Sequence, residues 1–550
     1  MRALLAIFSV LALSCGDATP EVPPATTSLV VHVTDGPGGA PLPAKLLLYG
    51  SAGLIRIGKL DFTFNGQEFF QDRGFCELAD GAVGTWFGIA LVRGDAELPV
   101  GSGGCAPGPA IPYGHYRARV LRGAEFEPFE ADLDLSAQRG RVVLDAPLVR
   151  AFDTESALAA DLHVHAEHSG DSSVPRRIRL IAEAAAGIQV VGSSDHNYNG
   201  NFQTEIDALG VAPLVAALPG NEVSIEIGHF NLLPVTVDEA QARAGAIAAA
   251  GMSANTFFAA AHALPEHPLI QVNHARLGYA AYFDIARWDG TSWPPPMPTA
   301  FDALEVLSGF QAYRLPTDPR IDRAVTDFYT LTQHGVFVAG LGNSDSHHLN
   351  AILAGFPKSW VFVRDPRTMP FDQAGFLDAL QARHVVATTG PWLDVRARGT
   401  GGAVGVGDLV TASGGVDLEL HVRQASFVHA TRVRVWVGTE LRETLAIPPG
   451  ARAFDWTGRE TIGTSDTWIG VDATGDDPLP EELVGDYLSS HGLGGMVPFA
   501  LISPILVDAN GDGRVTLARP QATLPVDLLP PAVIPGAERG PYDCGEPERR

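Results

Sequence analysis

A chain of 550 residues with 46% hydrophobic and 18% charged content is too long for one hydrophobic core and too apolar to stay disordered, so several folded domains follow. A formal net charge of −25, with no Lys/Arg run to offset it, argues against nucleic acid as a partner, because that field repels a polyanion.

The N-terminus carries Arg2, an apolar stretch from Ala3 to Leu13, and then Ser14, Cys15, Gly16 and Asp17. This stretch is too short to span a bilayer and reads as a signal peptide over 1–15. Leu11-Ala12-Leu13-Ser14-Cys15 resembles the bacterial lipobox. That resemblance implies a lipoprotein anchored to the membrane at Cys15, facing the periplasm or the cell surface. The same residues also suit an ordinary cleavage site and a secreted protein, or an anchor that is retained; every version exports the chain. Export permits a Cys76–Cys105 disulfide. No C-x-x-C occurs, which argues against a thiolate zinc site.

Residues 16–27 form a Pro/Thr-rich tether. Ser28–Val33, Ala44–Tyr49, Tyr116–Leu121 and Arg141–Leu144 read as strands separated by turn-rich stretches, which makes 28–150 a β-sandwich-like module. Gly101–Pro109 lacks a following Lys and helix, so it is a loop and not a phosphate cradle. From residue 151 the pattern changes. Apolar strands are predicted at Ala159–His163, Gln189–Ser193, Val215–Leu218, Phe230–Val235, Leu269–Val272, Ala303–Leu307 and Val336–Leu341. Helical patterns lie between several of them, at Arg176–Ala186, Val237–Ala250 and Arg320–Gln333. The densest basic group, Arg176, Arg177 and Arg179, reads as a solvated helix start. Seven strands with crossover helices predict an α/β domain over 151–393 whose parallel sheet closes into a barrel, with its chemistry at the C-terminal strand ends. After Pro391 the alternation of Val416–Val422, Arg432–Val437, Trp468–Ala473 and Val497–Ile502 predicts a second β-sandwich over 394–524. Residues 525–550 read as a loose tail. Asp508-Ala509-Asn510-Gly511-Asp512-Gly513 imitates a calcium loop, but Arg519 stands where that loop needs Glu, so a structural turn is expected.

The informative polar residues fall at strand ends. Asp161-Leu162-His163-Val164-His165 closes the first strand, and alternation puts both histidines on one side. Ser194-Asp195-His196-Asn197 ends the second strand and Asn221-Glu222 the third. Gly228-His229 opens the fourth, Asn273-His274-Ala275-Arg276 ends the fifth, and Ser344-Asp345-Ser346-His347 ends the seventh. Six strands thus present His, Asp or Glu to one rim. Imidazoles and carboxylates without thiolate suit two or three divalent ions such as Zn, Mn or Fe. Such ions lower the pKa of a bound water and stabilise charge on a substrate oxygen.

HxH, Ser-x-Asp, Asp-His, Glu, His, His and Asp-x-His, in this order on successive strands, resemble the PHP (polymerase and histidinol phosphatase) superfamily. The resemblance spans roughly Asp161 to His347 and implies a distorted (β/α)7 barrel, here flanked by N-terminal and C-terminal β-sandwich-like modules. It implies nine ligands: His163, His165, Asp171, His196, Glu222, His229, His274, Asp345 and His347. His163, His165, Glu222 and Asp345 would hold one ion, and Glu222 would bridge to a second on His229 and His274. Asp171, His196 and His347 would hold a third, with His168 a competitor of Asp171. Asp195 and Asn197 are expected to fix the His196 tautomer, and Glu305 to support the site from the sixth strand. Arg276 and His348 are expected to face the mouth and meet substrate.

The β-module ahead of the barrel, with Pro498-Phe499-Ala500-Leu501 and Pro504-Ile505-Leu506-Val507-Asp508 after it, resembles the CehA/McbA-like branch of that superfamily, named for aryl N-methylcarbamate hydrolases. It implies that a metal-bound hydroxide hydrolyses an ester, carbamate or amide bond of a small molecule, with Glu222 and Asp345 at the reacting centre and Asp345 moving the proton. A phosphoesterase is the close alternative, with Arg276 as the phosphate's cation. A serine hydrolase is disfavoured, because Gly342-Asn343-Ser344-Asp345-Ser346 lacks the second Gly of a nucleophile elbow. A non-catalytic metal-binding surface lipoprotein would be expected to have lost ligands.

Overall fold

The computed structural model describes residues 26–57, 75–103, 105, 108–154, 157–315, 317–364, 371–517 and 527–530. The signal peptide with Cys15, the tether before residue 26 and the tail apart from 527–530 lie outside the described residues. No helix among the described residues is long and apolar enough to cross a membrane.

Alternating burial along Ser28–Asp35 turns Leu29, Val31 and Val33 inward. This strand lies between Arg141–Arg150, which runs parallel to it, and the antiparallel Asp95–Gly101. A second sheet runs from Phe129–Asp134 through His115–Leu121, Ala44–Gly50, Gly88–Leu91 and Ala82–Thr85 to Cys76–Ala79. Leu46, Leu48, Ala118 and Val120 from that sheet share a core with the first one. Cys76 and Cys105 form the expected disulfide, with Cα atoms 5.4 Å apart.

The strands that carry the candidate ligands are buried along almost their whole length, as strands covered on both faces are. They are mixed α/β in character but divide into two sheets. Ala157–Val164, Val190–Ser193 and Ala216–Leu218 pair in parallel. Asn221–Ile225, Gly228–Leu233, Leu269–Val272, Ala303–Ser308 and Ala339–Asn343 make the second sheet, in which only the last three strands pair in parallel and Gly228–Leu233 runs against the rest. Asn221–Ile225 is a strand the sequence pattern did not reveal. It is joined to Gly228–Leu233 through Glu226 and Ile227, a link too short for a crossover, so the pair must be an antiparallel hairpin. The all-parallel closed barrel expected from sequence is therefore replaced by two sheets. Isolated bridges at Val164↔Ser346 and His196↔Glu222 join them on the ligand side.

The C-terminal part also departs from expectation. Trp392–Gly399, Gly402–Val404, Val416–Arg423 and Ala453–Glu460 form their own sheet. Phe499–Ile502, Thr467–Thr474, Arg432–Val437 and Glu440–Ala446 instead extend the first ligand-bearing sheet, through Lys358–Phe362 and Val385–Thr388. The open edge of Val385–Thr388 pairs with Phe499–Ile502, so this sandwich does not stand apart. Val237–Ala250 is not a helix. Asp238 accepts hydrogen bonds from Ala240 N and Gln241 Nε2, and Arg243 and Ala244 take left-handed backbone at φ 55° and 52°. The tail is not loose throughout. Leu528 O accepts from Ala254 N, Asp527 Oδ1 accepts from Asn255 N, and Leu528 packs on the core beneath the Ala254–His262 helix. The Asp508 carboxylate accepts Gly511 N and Gly513 N, which closes a turn over these residues.

Candidate metal centre

His163 and His165 leave the same side of their strand, and their Nε2 atoms lie 3.1 Å apart. Each Nε2 is also 3.1 Å from Asp345 Oδ1. Their other ring nitrogens are already engaged: His163 Nδ1 lies 3.0 Å from Glu305 Oε1, and His165 Nδ1 lies 2.7 Å from Ser169 Oγ. With Nδ1 donating, neutral rings turn two lone pairs and a carboxylate oxygen toward one point. Such an arrangement is repulsive unless a cation sits among them.

Glu222 stands at the middle of the remaining ligands. Its Oε1 lies 3.3 Å from His163 Nε2, His229 Nδ1 and His274 Nε2 alike. Its Oε2 is 2.8 Å from His196 Nδ1 yet has no hydrogen-bond partner among the described residues, and His229 Nδ1 and His274 Nδ1 have none among them either. Asp171 Oδ2 lies 3.0 Å from His196 Nε2 and 3.1 Å from His347 Nε2. Four overlapping groups result, each with its ligand atoms within 4.8 Å: His165, Asp171, His196 and His347; His163, Glu222 and His274; His163, His165 and Asp345; His196, Glu222 and His229. Together they contain all nine expected ligands. The partition differs from the expected one, since His165 also joins the Asp171 set and His229 sits with His196. Buried His, Asp and Glu in this array can hold divalent cations.

The electrostatics favour positive charge. Burial works against a charged His163, yet the Asp345, Glu305 and Glu222 carboxylates hold its pKa well above the usual value. Burial likewise opposes ionisation of Glu222, but His196, His229 and His163 hold it well below the usual range. His165 is pushed the other way, by burial and by the neighbouring His347 and His196. Exposure is graded across the cluster. Glu222 and His163 have no exposed side-chain surface, His347 has 13% and Asp171 has 40%. The cluster is closed at its floor and open on the Asp171 side.

A buried polar network holds the ligands, and sequence inspection found only part of it. Glu305 was expected, and its Oε2 accepts His274 N while Oε1 faces His163. Asn197 acts at one remove: it bonds Ser224 N and Ser224 O, and Ser224 Oγ lies 2.6 Å from His196 Nδ1. Asp195 instead accepts Ala166 N. Four fully buried amides, Asn231, Gln271, Asn273 and Asn343, floor the site. Asn273 donates to Glu222 Oε1, and Asn343 and Asn231 satisfy Leu162 N and Leu162 O where the first strand loses register. These amides lie on the ligand strands beside the motifs, but amides on apolar strands carry no metal signature. Asn197, His274 and Asp345 all have positive φ, 53°, 25° and 54°, so three rim positions hold sparsely populated backbone conformations.

Three expected participants lie elsewhere. Arg276 is fully buried, with its guanidinium on Asp327 at 2.6 and 2.7 Å, on Asp284 at 3.1 Å and on Trp288 O at 2.7 Å. It is committed to structure and does not face the mouth. His348 lines a separate cavity of about 40 Å³ with Lys45, Arg179 and Leu349, and burial pushes its pKa down to about 3. His168 packs on the Tyr198 ring with centroids 4.0 Å apart and joins none of the four groups. Arg179, expected in solvent, has no exposed surface. Arg177 pairs with Asp80 at 2.6 Å and Arg176 with Glu205 at 3.3 Å.

No protein-family model matches the sequence, and no characterised protein matches it, so the reading of this centre rests on its own geometry.

Proposed function

We propose that the chain is a metal-dependent hydrolase of the PHP type that cleaves an ester, carbamate or amide bond of a small molecule. The observation that carries this reading is the convergence of nine ligands into overlapping groups that are closed beneath and open at Asp171. Metal sites that only stabilise structure are closed by their ligands, whereas catalytic ones keep an open side. Divalent cations there, zinc, manganese or iron, would supply an activated water and Lewis-acid stabilisation of charge on the substrate oxygen. His163, His165 and Asp345 would hold one cation, Glu222 would be shared with His229 and His274, and Asp171, His196 and His347 would face the mouth. Glu305 and Ser169 keep Nε2 of His163 and His165 turned to the centre. Asp345 Oδ1, reached from both of those rings, is the group we assign to proton transfer.

The two sheets and the bridges at Val164↔Ser346 and His196↔Glu222 are consistent with a strongly distorted barrel. Export as a lipoprotein through Cys15 belongs to the same reading, and the Cys76–Cys105 disulfide supports an oxidising compartment. Carbonyl chemistry is preferred to phosphate because Arg276, the cation sequence offered for a phosphate, is fully engaged by Asp327 and Asp284. Purified, metal-loaded chain should turn over p-nitrophenyl acetate or naphthyl methylcarbamate, and EDTA should abolish the activity. Turnover of p-nitrophenyl phosphate alone would reverse the order of the two chemistries, and chelator-resistant activity would end the metal reading.

A further inference from the structure

We propose that Arg179 is a positioning residue for the open end of the metal centre, clamping together the two strand ends that carry His165 and His347. The proposal rests on the metal-centre reading above. Arg179 lies on the Arg176–Ala185 helix, whose Ile178, Ile181 and Ala184 share a core with Ala157, Ala159 and Val164 of the first ligand-bearing strand, and its side chain is fully buried. Its Nε donates to His165 O at 2.9 Å, and its Nη1 donates to Ser346 Oγ at 2.6 Å. His165 follows the Ala157–Val164 strand, whereas Ser346 stands between the ligands Asp345 and His347 on the far side of the sheet junction.

The two ends meet where His165 N donates to Ser346 O at 3.1 Å and Asp345 N donates to His163 O at 2.8 Å. Above this seam the His165 and His347 rings stack, with centroids 3.9 Å apart and planes 19° from parallel. These two rings share a ligand group with Asp171 and His196, so the spacing of the two strand ends sets the geometry of that group. A shift at the seam is felt there directly, because the His165 ring departs from a residue the guanidinium holds and the His347 ring from the residue that follows Ser346. Ser346 Oγ in turn donates to Ile352 O at 2.7 Å, which ties the following loop to the same clamp.

Burying a guanidinium is expensive unless it is matched by good acceptors. A helix residue that only filled space here would be apolar. The planar fork reaches two acceptors on two different strands at once, and a lysine ammonium, as a compact point charge, does not reproduce that. In the sequence Arg179 looks solvated because it follows Arg176 and Arg177. Its neighbours on the helix show the difference: Ile178, Leu180 and Ile181 are buried, so Arg179 sits on the packed part of the helix.

The test uses full-length chain loaded with Zn²⁺, counted by mass spectrometry after dialysis and titrated against a chelating dye. Arg179→Lys should keep its circular dichroism and a cooperative melt, yet bind zinc at the mouth on the order of 10–100-fold more weakly, as loss of an outer support does. Ser346→Ala removes the other end of the clamp without touching the buried charge, and should weaken the same ion by a smaller factor; it decides the matter if Arg179→Lys does not fold. Wild-type stoichiometry and affinity in both variants, with only a lower melting temperature of the metal-free protein, would make Arg179 purely structural and overturn the proposal. A wild-type chain that binds no zinc would overturn the metal-centre reading itself, and this proposal with it.

Discussion

Glu222 has no exposed surface and lies within 3.6 Å of ring nitrogens from His163, His165, His196, His229 and His274. One carboxylate cannot hydrogen-bond five imidazoles at once, an arrangement compatible with divalent cations among them. The supports are as informative as the ligands. Glu305→Gln keeps the shape and removes the charge that orders His163 Nδ1. It should weaken metal binding on the order of 10–100-fold with the fold intact, read by chelator competition. An unchanged affinity would mean that Glu305 serves only to hold His274 N and Asn343. The nine candidate ligands were legible in sequence because most of them sit in short motifs at strand ends. Ser169, Ser224 and the amide floor were not, because serine and asparagine are common residues whose significance depends on what lies opposite. Arg276 and His348 misled for the same reason: sequence placed them next to ligands but could not show where their side chains turn.

Elements are joined by interactions between residues far apart in the chain. Lys358, on the Lys358–Phe362 strand of the first ligand-bearing sheet, places Nζ 2.7 Å from Glu125 Oε2 of the N-terminal sandwich, with both side chains almost completely buried. Removing one partner of such a pair strands a charge, so Glu125→Ala should destabilise the protein by roughly 3–5 kcal/mol in urea unfolding. The double variant Glu125→Leu with Lys358→Met should recover most of that loss; no recovery would show that volume and not charge is at stake. Lys45, on the Ala44–Gly50 strand, is pushed by burial down to about 7, despite the attraction of Glu482. Its folded pKa is below the unfolded value of 10.5, so the unfolded state holds the extra proton between these limits and stability rises with pH through that window. Urea midpoints should increase from pH 7 to pH 9 in the wild type, and Lys45→Met should remove Lys45's share of that slope. The elements themselves were partly legible. Buried strands and the Arg320–Gln333 helix stand close to where periodicity predicts them. The hairpin at Asn221–Leu233 and the unwound Val237–Ala250 were not, because two linker residues and three successive left-handed positions outweigh a helical pattern.

At the scale of the whole molecule, metal binding and folding should be linked. Cations that bind only the folded chain stabilise it by about 2.7 kcal/mol at one hundred times the dissociation constant. Zinc-loaded protein should therefore melt several degrees above protein stripped with EDTA, and an identical melting temperature would argue that the centre is empty in solution. Sequence by itself determined the residue types, their order and the rim they occupy, because ligand chemistry resides in side-chain identity and strand alternation fixes which side each one leaves. Only the tertiary structure decided how the nine candidate ligands group, that Arg179 is buried against His165 and Ser346 while Arg276 is spent on Asp327, and that the C-terminal strands extend the ligand-bearing sheet. These outcomes depend on contacts between residues tens to hundreds of positions apart, and one-dimensional patterns carry no record of which buried polar groups end up facing one another.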